Sequence, residues 1–408
     1  MPTYGQSLSN LSATNFASEA IKLVYGDLHE QLRDKNPALQ LIEASSQHIT
    51  QNGRSVVFDT HIGRNQGIGA RGVREALPVA GAQKYKQATL DLVNLYGTIE
   101  VDGQLFEQAS ENYQAFINVV DNEIRGLKKD LAVDLNRQVY GDGSGKLATV
   151  SSKTGSTITF DSVQWIQEGM LLAFYDASGT ARATASGTNY LTVVSINEAT
   201  KVVTFAAAIP AAVVATDIAV RGSYNGGDSY GKEWTGLGKI VKATGSLHGI
   251  DPSSYPIWAS HEKAQGGALT ELALINLVQT VDKKGGEVDA FLASPGVFNA
   301  YWALLTSLRR FNDGGALVGG QRAFTFTAAG RDINFVSDYA APSNTLYALS
   351  TKELVVNRKK DWAWMDRDGS MWSRSGDTDA YKAVLYQYSN LGTYRRNAHA
   401  VMTGITEA

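Results

Sequence analysis

Between residues 104 and 140, apolar side chains recur every three or four positions for far longer than a globular core requires. Phe106, Ala109, Tyr113, Phe116, Val120, Ile124, Leu127, Leu131, Leu135 and Val139 fall on one stripe of a helix. Such a helix is roughly 50 Å long at about 1.5 Å per residue. Gly141-Asp142-Gly143-Ser144-Gly145 stops it, with glycine where helix ends and turns favour it. Just before the helix lies an extended, glycine-rich, arginine-bearing segment with no core of its own. A rod beside a protruding arm is the pattern of a part made to be assembled with copies of itself.

The arm reads as a long β-hairpin over 54–101. Val56, Phe58, Thr60 and Ile62 alternate with Val57, Asp59, His61 and Gly63, the period of two that marks a strand. Polar, glycine-rich sequence fills 63–81, and alternation resumes near 84–101. Between positions 54 and 88 stand six bases (Arg54, Arg64, Arg71, Arg74, Lys84, Lys86) and two acids (Asp59, Glu75), a local charge of +4. The expected helix has six acids (Glu107, Glu111, Asp121, Glu123, Asp130, Asp134) against four bases (Arg125, Lys128, Lys129, Arg137). Opposite charge on arm and rod favours docking one on the other, acting on register and on-rate more than on affinity. The plainer alternative is that both are solvated faces.

The 408 residues imply two or three domains with a sizeable core. A 43% hydrophobic and 19% charged composition is that of an ordinary soluble globular chain. The net charge of −3 argues against a dedicated nucleic-acid binder, which carries a clear basic excess. With no cysteine, disulfides, thiolate metal sites and cysteine nucleophiles are excluded. Residues 1–15 are polar and lack the order of a signal peptide, and no apolar run nears the ~20 residues of a membrane helix. The expectation is a soluble protein made in a cytoplasm.

Residues 1–53 read as an arm, with a short amphipathic helix over 15–30. Residues 147–222 form a compositional island rich in Thr, Ser, Ala, Val and Gly, with strands expected at 156–160, 170–175, 190–196, 201–205 and 217–221. This is a small β-barrel or β-sandwich inserted in the main fold. Beyond 236 the pattern mixes helices (270–283, 297–310) with strands (323–327, 333–337, 345–350, 381–390, 398–403). The tryptophans Trp362, Trp364 and Trp372 flank an expected hairpin turn at Asp366-Arg367-Asp368-Gly369.

Short catalytic motifs fail on context. Gly67-Ile68-Gly69-Ala70-Arg71-Gly72 matches G-x-G-x-x-G, but Pro78 interrupts the next turn and no helix opens to receive a pyrophosphate. Asp366, Asp368 and Gly369 lack the remaining ligands of a calcium loop. His261-Glu262 begins like a zinc-protease motif, but Gln265 stands where the second histidine belongs. The reading is a chain with no catalytic site, no metal site and no cofactor.

Arm, hairpin, long helix ending in Val139-Tyr140-Gly141-Asp142-Gly143-Ser144-Gly145, then Gly245-Ser246-Leu247-His248-Gly249-Ile250-Asp251-Pro252-Ser253-Ser254-Tyr255-Pro256-Ile257-Trp258, succeed one another in an order that resembles a tailed-bacteriophage major capsid protein. The closing Tyr394-Arg395-Arg396-Asn397-Ala398-His399-Ala400-Val401-Met402-Thr403-Gly404-Ile405 resembles that family's C-terminus too. The resemblance covers most of the chain outside 147–222.

It implies an α+β fold of the Hong Kong ninety-seven type, with an N-arm (1–53), an E-loop hairpin (54–101) and an inserted β-rich domain (147–222). The P domain would comprise 102–146, 223–244 and 346–395, with a spine helix over 104–140. The A domain would comprise 245–345 and 396–408. By the same resemblance, subunits form hexamers and pentamers of an icosahedral virion capsid around double-stranded DNA, assembled in a bacterial host cytoplasm. Scaffolding and portal proteins are implied partners, a decoration protein is a further one, and membranes are not involved. With only a short region before the arm, the scaffold is expected as a separate chain or as an extension already removed. Expected intersubunit contacts are Arg64, Arg71, Arg74, Lys84 and Lys86 on the E-loop, and Glu107, Glu111, Asp121 and Glu123 on the spine helix. Some relatives crosslink an E-loop lysine to an asparagine, but no partner for Lys84 or Lys86 is identifiable and none is expected. The alternative within this fold is an encapsulin-like compartment that encloses protein.

Overall fold

The long apolar stripe forms a helix over Tyr113–Tyr140, 28 residues and about 42 Å. This comes from a computed structural model that describes residues 36–45, 47–50, 55–103, 113–182, 190–224, 227–308, 324–366, 372–374, 376 and 378–408. The start expected at 104 and the helix expected over 15–30 lie outside the described residues. Leu135, Val139 and Tyr140 are buried at the helix's C-terminal end. Leu127 and Leu131 lie over Gly97 of the strand Val93–Asp102. A Cβ on Gly97 would stand 2.7 Å from Leu131 Cδ1, so the missing side chain is what lets helix and sheet approach. Gly143 and Gly145 then take positive φ and turn the chain away.

The sheet beneath the helix has five strands. Ala380–Thr393 is central, antiparallel to Leu354–Trp364 on one edge and to Val93–Asp102 on the other. Gln47–Thr50 adds a parallel edge strand against Leu354–Trp364. Two expectations change here. Residues 54–101 are not one hairpin: the arm pairs Ser55–Gly63 with Lys84–Asp91, and Val93–Asp102 belongs to this sheet. The alternation runs on unbroken because both strands are half-buried, and only Leu92 separates the two pairings. Nor do the tryptophan segments pair with each other. Trp364 lies opposite Leu385, and Ser373 opposite Lys382, so both line the same edge of one strand end to end. The turn at Arg367-Asp368-Gly369 lies outside the described residues.

A second sheet has six strands, in spatial order His261–Gly267, Ala400–Ile405, Leu346–Leu349, Ala290–Ala293, Arg331–Ser337 and Phe324–Ala328. Its helices are Glu271–Lys283, capped by Thr270 Oγ1 accepting from Ala273 N at 3.2 Å, and Pro295–Leu308. They close a core around Leu274, Val278, Phe291, Tyr301 and Phe335. The division expected at 345/346 has to move, because Leu346–Leu349 pairs on both edges within this sheet.

Residues 146–221 form a closed six-stranded barrel: Lys146–Thr154, Thr157–Phe160, Val202–Phe205, Leu191–Asn197, Leu171–Tyr175 and Ile218–Arg221, each paired with the next and the last with the first. The expected strands at 156–160, 170–175, 190–196, 201–205 and 217–221 are all present within a residue or two. The polar strand Lys146–Thr154 gives no such signal in the sequence. The barrel's core is its own, with Ile158, Phe160, Leu172, Phe174 and Phe205 at the centre. The first and last strands pair with each other, so the chain leaves the main body and returns to it side by side.

Candidate assembly surface

Beyond Gly63 and before Lys84, the arm is exposed chain held in shape by short-range contacts. Asn65 Oδ1 accepts from Gly67 N at 2.7 Å. A Cβ on Gly67 would stand 2.8 Å from the Val79 carbonyl oxygen. The first glycine of the G-x-G-x-x-G match therefore serves the close passage of two limbs of the tip, with no helix after it. Glu75 Oε2 accepts from Gly72 N at 2.7 Å, and Arg71 donates to the carbonyls of Ala76 at 3.1 Å and Ala70 at 2.9 Å. Apolar side chains are presented outward: Ile68 is 80% exposed, Val73 96%, Leu77 83% and Val79 87%. Leaving them in water is unfavourable by ~25 cal/mol per Å2 of apolar surface that a partner could cover.

The root of this arm is fixed to the body. Leu90 and Val56 are buried, and Thr89 N donates to the His248 carbonyl at 3.0 Å. Asn390 Nδ2 donates to the Asp91 carbonyl at 2.6 Å. The Phe58 ring meets Tyr394 edge-on at 5.0 Å and His248 at 6.2 Å. Two of the three peptides that carry the family resemblance, those with His248 and Tyr394, thus converge where the arm leaves the body. Burial, with Lys239 and Arg396 adding to it, pulls the His248 imidazole down to about 4.

Arg396 knits the same junction. It is 1% exposed, and its guanidinium donates to four carbonyls: Ile240 at 3.0 Å, Gly245 at 2.7 Å, Lys239 at 3.1 Å and Thr244 at 2.9 Å. Two of these close the short helix Leu237–Ile240, where a cation complements the helix end. Burial draws its pKa down to about 10, against the pull of Glu262.

The barrel is tied to the long helix through charge. Arg137 donates to Asp134 at 3.1 Å, to Glu233 at 2.6 Å and to the Lys146 carbonyl at 3.2 Å, while Arg221 reaches Asp134 at 3.2 Å. Burial pushes the Asp134 carboxyl up, but Arg137, Arg221 and the Gln138 amide overcome it and hold it at about 2. Glu233 is raised, by burial and then by Asp134, in spite of Arg137. Such a network holds parts in register more than it adds net stability. Nothing in the sequence pattern points to it, since its members lie up to 96 residues apart.

Arg64, Arg71, Arg74, Lys84 and Lys86 are all exposed, and none forms an ion pair among the described residues. Arg74 sits at positive φ at the far end of the tip. Lys86 points back to its own body, with Nζ 5.9 Å from the centre of the Tyr255 ring. On the helix, Glu107 and Glu111 lie outside the described residues, and Asp121 is described as backbone alone. Glu123 is exposed, in a stretch that also exposes Arg125, Lys128 and Asp130, so that face carries both signs. Among the described residues, no ion pair joins the arm cations to Glu123. His261 and Glu262 stand on a strand, Glu262 accepts from Ala243 N at 2.9 Å, and no metal-binding cluster exists among the described residues.

No protein-family profile and no curated protein matches the chain. Solved structures do. The cyanophage A-1(L) capsid subunit is similar at a TM-score of 0.61 with 14% identity, over 93% of this chain and 96% of that one. The capsid of a native GTA particle is similar at 0.48 and 10%, over 95% and 98%. The holo-SrpI encapsulin of Synechococcus elongatus is similar at 0.45 and 11%, over 95% of each. The likeness to the cyanophage capsid subunit, at a TM-score of 0.61, shows the fold. It is the Hong Kong ninety-seven type fold of tailed-phage major capsid proteins, as the order of its parts implied.

Proposed function

We propose that this chain is a coat subunit that associates through hexamers and pentamers into an icosahedral shell around double-stranded DNA. The observation that carries this reading is the arm tip, which exposes Ile68, Val73, Leu77 and Val79 together with unpaired Arg64 and Arg74. A neighbour that covers the tip removes the apolar surface from water, and each contact is repeated around a ring. Obligate assemblies of this kind bury several thousand Å2 per interface, on the order of 2,000–5,000. In this reading the five-stranded sheet with the long helix is the P domain, the six-stranded sheet is the A domain, and 55–91 is the E-loop.

Scaffolding and portal proteins would act in assembly, and the barrel offers a surface for a decoration protein. Electron microscopy of the purified protein tests the proposal: closed polyhedral particles support it, and monodisperse monomers at every concentration overturn it. Nuclease-protected double-stranded DNA within particles from host cells separates a virion shell from an encapsulin-like compartment, which would enclose protein.

A further inference from the structure

A cavity of about 760 Å3 lies between the first arm strand, Ser55–Gly63, and the body. That is the size of a ligand site, ~300–1,000 Å3. Every residue from Phe58 to Arg64 borders it. Successive side chains of a strand point to opposite faces, so an unbroken run means that the strand turns its edge to the cavity.

The ladder shows which backbone groups that edge offers. Thr89 N donates to the His248 carbonyl, so Thr89 turns its backbone away from the first strand. Thr89 lies opposite Val57, Gln87 opposite Asp59 and Tyr85 opposite His61. Antiparallel pairs alternate between exchanging bonds and turning outward. Val57, Asp59 and His61 therefore turn N–H and C=O away from the second strand. Among the described residues, no other backbone group pairs with theirs. The edge is held still, because Val56 is buried and Phe58 is wedged against Tyr394.

The walls favour an anionic occupant. Arg64 and Lys284 border the cavity, and neither forms an ion pair among the described residues. Lys284 Nζ donates to the Ala259 carbonyl at 3.0 Å, while Glu353 is taken up by Arg395 at 3.3 Å. Asp59, the other acid here, lies on the strand face opposite to Phe58 and Thr60. Thr60 Oγ1 and Trp258 Nε1 are buried without a partner, and both can donate. What the site lacks is acceptors, which carboxylates and peptide carbonyls supply.

We propose that this cavity is a strand-addition site for an extended acidic peptide of a partner protein. The peptide backbone pairs with the outward groups of Asp59 and His61, and its carboxylates meet Arg64 and Lys284. A preformed, anchored edge spares the arm any ordering cost on binding. The site is complete in one chain, so the proposal stands apart from the shell function.

The test uses the full chain and a fluorescein-labelled peptide of six residues alternating valine and glutamate, capped at both ends and read by fluorescence anisotropy. The wild-type chain should bind it, and the same peptide with lysine for glutamate should bind about tenfold more weakly. His61→Pro deletes one outward N–H and should weaken binding about tenfold, whereas His61→Ala should stay within about twofold. Both variants lose the imidazole's contact with Gln83, so the comparison isolates the backbone donor. A second measurement leaves the chain untouched. Methylating the amide nitrogens of all valines, or of all glutamates, gives two peptides, of which one should lose binding about tenfold and the other should keep it. Equal affinity for both methylated peptides would overturn strand addition, as would wild-type affinity in His61→Pro. No binding of the acidic peptide, or equal binding of the lysine peptide, would overturn the site.

Discussion

The Asn136 side-chain amide donates to both carboxylate oxygens of Asp338, at 3.2 and 3.0 Å, across 202 positions of sequence. Asp338 also accepts from Ala38 N at 3.1 Å, Tyr140 Oη at 3.2 Å and Ala340 N at 2.9 Å. One buried carboxylate thus gathers the helix Pro37–Ser45, the end of the long helix and the margin of the six-stranded sheet. Burial, and then the Asp338 charge, raise the Tyr140 hydroxyl well above its ordinary value, so it stays a donor.

Asp338→Ala is therefore expected to cost about 3 kcal/mol in urea unfolding, because several buried donors lose their acceptor together. Tyr140→Phe removes one bond of the set and should cost about 1 kcal/mol. Equal losses for the two variants would show that Asp338 is not the common node.

Arg396→Lys keeps a cation but loses the planar fork that reaches four carbonyls, and should destabilise the chain by roughly 2 kcal/mol. Arg396→Ala strips all four buried acceptors and should cost roughly 3–5 kcal/mol, enough to reduce soluble yield. Thermal denaturation of the two variants checks the order. A lysine variant as stable as wild type would mean the fork geometry is unimportant.

His399 sets a pH dependence. Its Nδ1 accepts from Ser350 N at 3.3 Å, so Nε2 carries the proton toward Thr393 Oγ1, 2.9 Å away. A second proton would face an N–H, and burial, with Arg395 behind it, draws the imidazole down to about 3. His248 behaves alike, at about 4. In the unfolded chain both protonate near pH ~6.5, so below that pH the unfolded state binds more protons. The stability they contribute is complete above about 6.5 and is lost as pH falls toward about 4. The slope should be about 1.4 kcal/mol per pH unit for each histidine. His399→Gln should flatten the profile of denaturation midpoint across that window, whatever its cost at neutral pH, and an unchanged slope would assign the dependence elsewhere.

At the arm tip, Arg71→Glu with Arg74→Glu should change the subunit's unfolding free energy by no more than a surface change does, about 0.5 kcal/mol. Particle yield should fall several-fold, and more so at low salt, where repulsion is least screened. Full shell yield would remove the electrostatic part of docking and leave Ile68, Val73, Leu77 and Val79 to explain it.

Much of this is legible in the sequence because it rests on periodicity. The helix stripe from Ile124 to Val139 and the barrel strands around Phe160, Phe174 and Phe205 announce themselves by spacing. Pairing is harder to read, since a strand's pattern shows which face is buried and not which strand lies beside it. Val93–Asp102 therefore reads as part of the arm, and the Trp362 and Trp372 segments read as partners of each other. The buried charges are beyond reach for a further reason. Asp134, Arg137, Arg221 and Glu233 look like solvated residues until the barrel is set against the helix. Arg396 and His248 stand out only as members of the peptides that carry the resemblance, and the carbonyls that explain Arg396 come from a stretch 151 to 157 positions away.

The ring of strands over 146–221 has one more effect if copies of this chain gather in the proposed shell. An insertion with an open sheet margin would be repeated on every copy and would invite strand-to-strand sticking between finished particles or between chains still waiting to join one. Here the first and last strands zip together, so among the described residues the barrel's strands pair with one another in a closed ring. What it shows the outside is a Ser-, Thr- and Ala-rich side-chain surface, which can be multiplied over a whole shell without gluing one shell to the next.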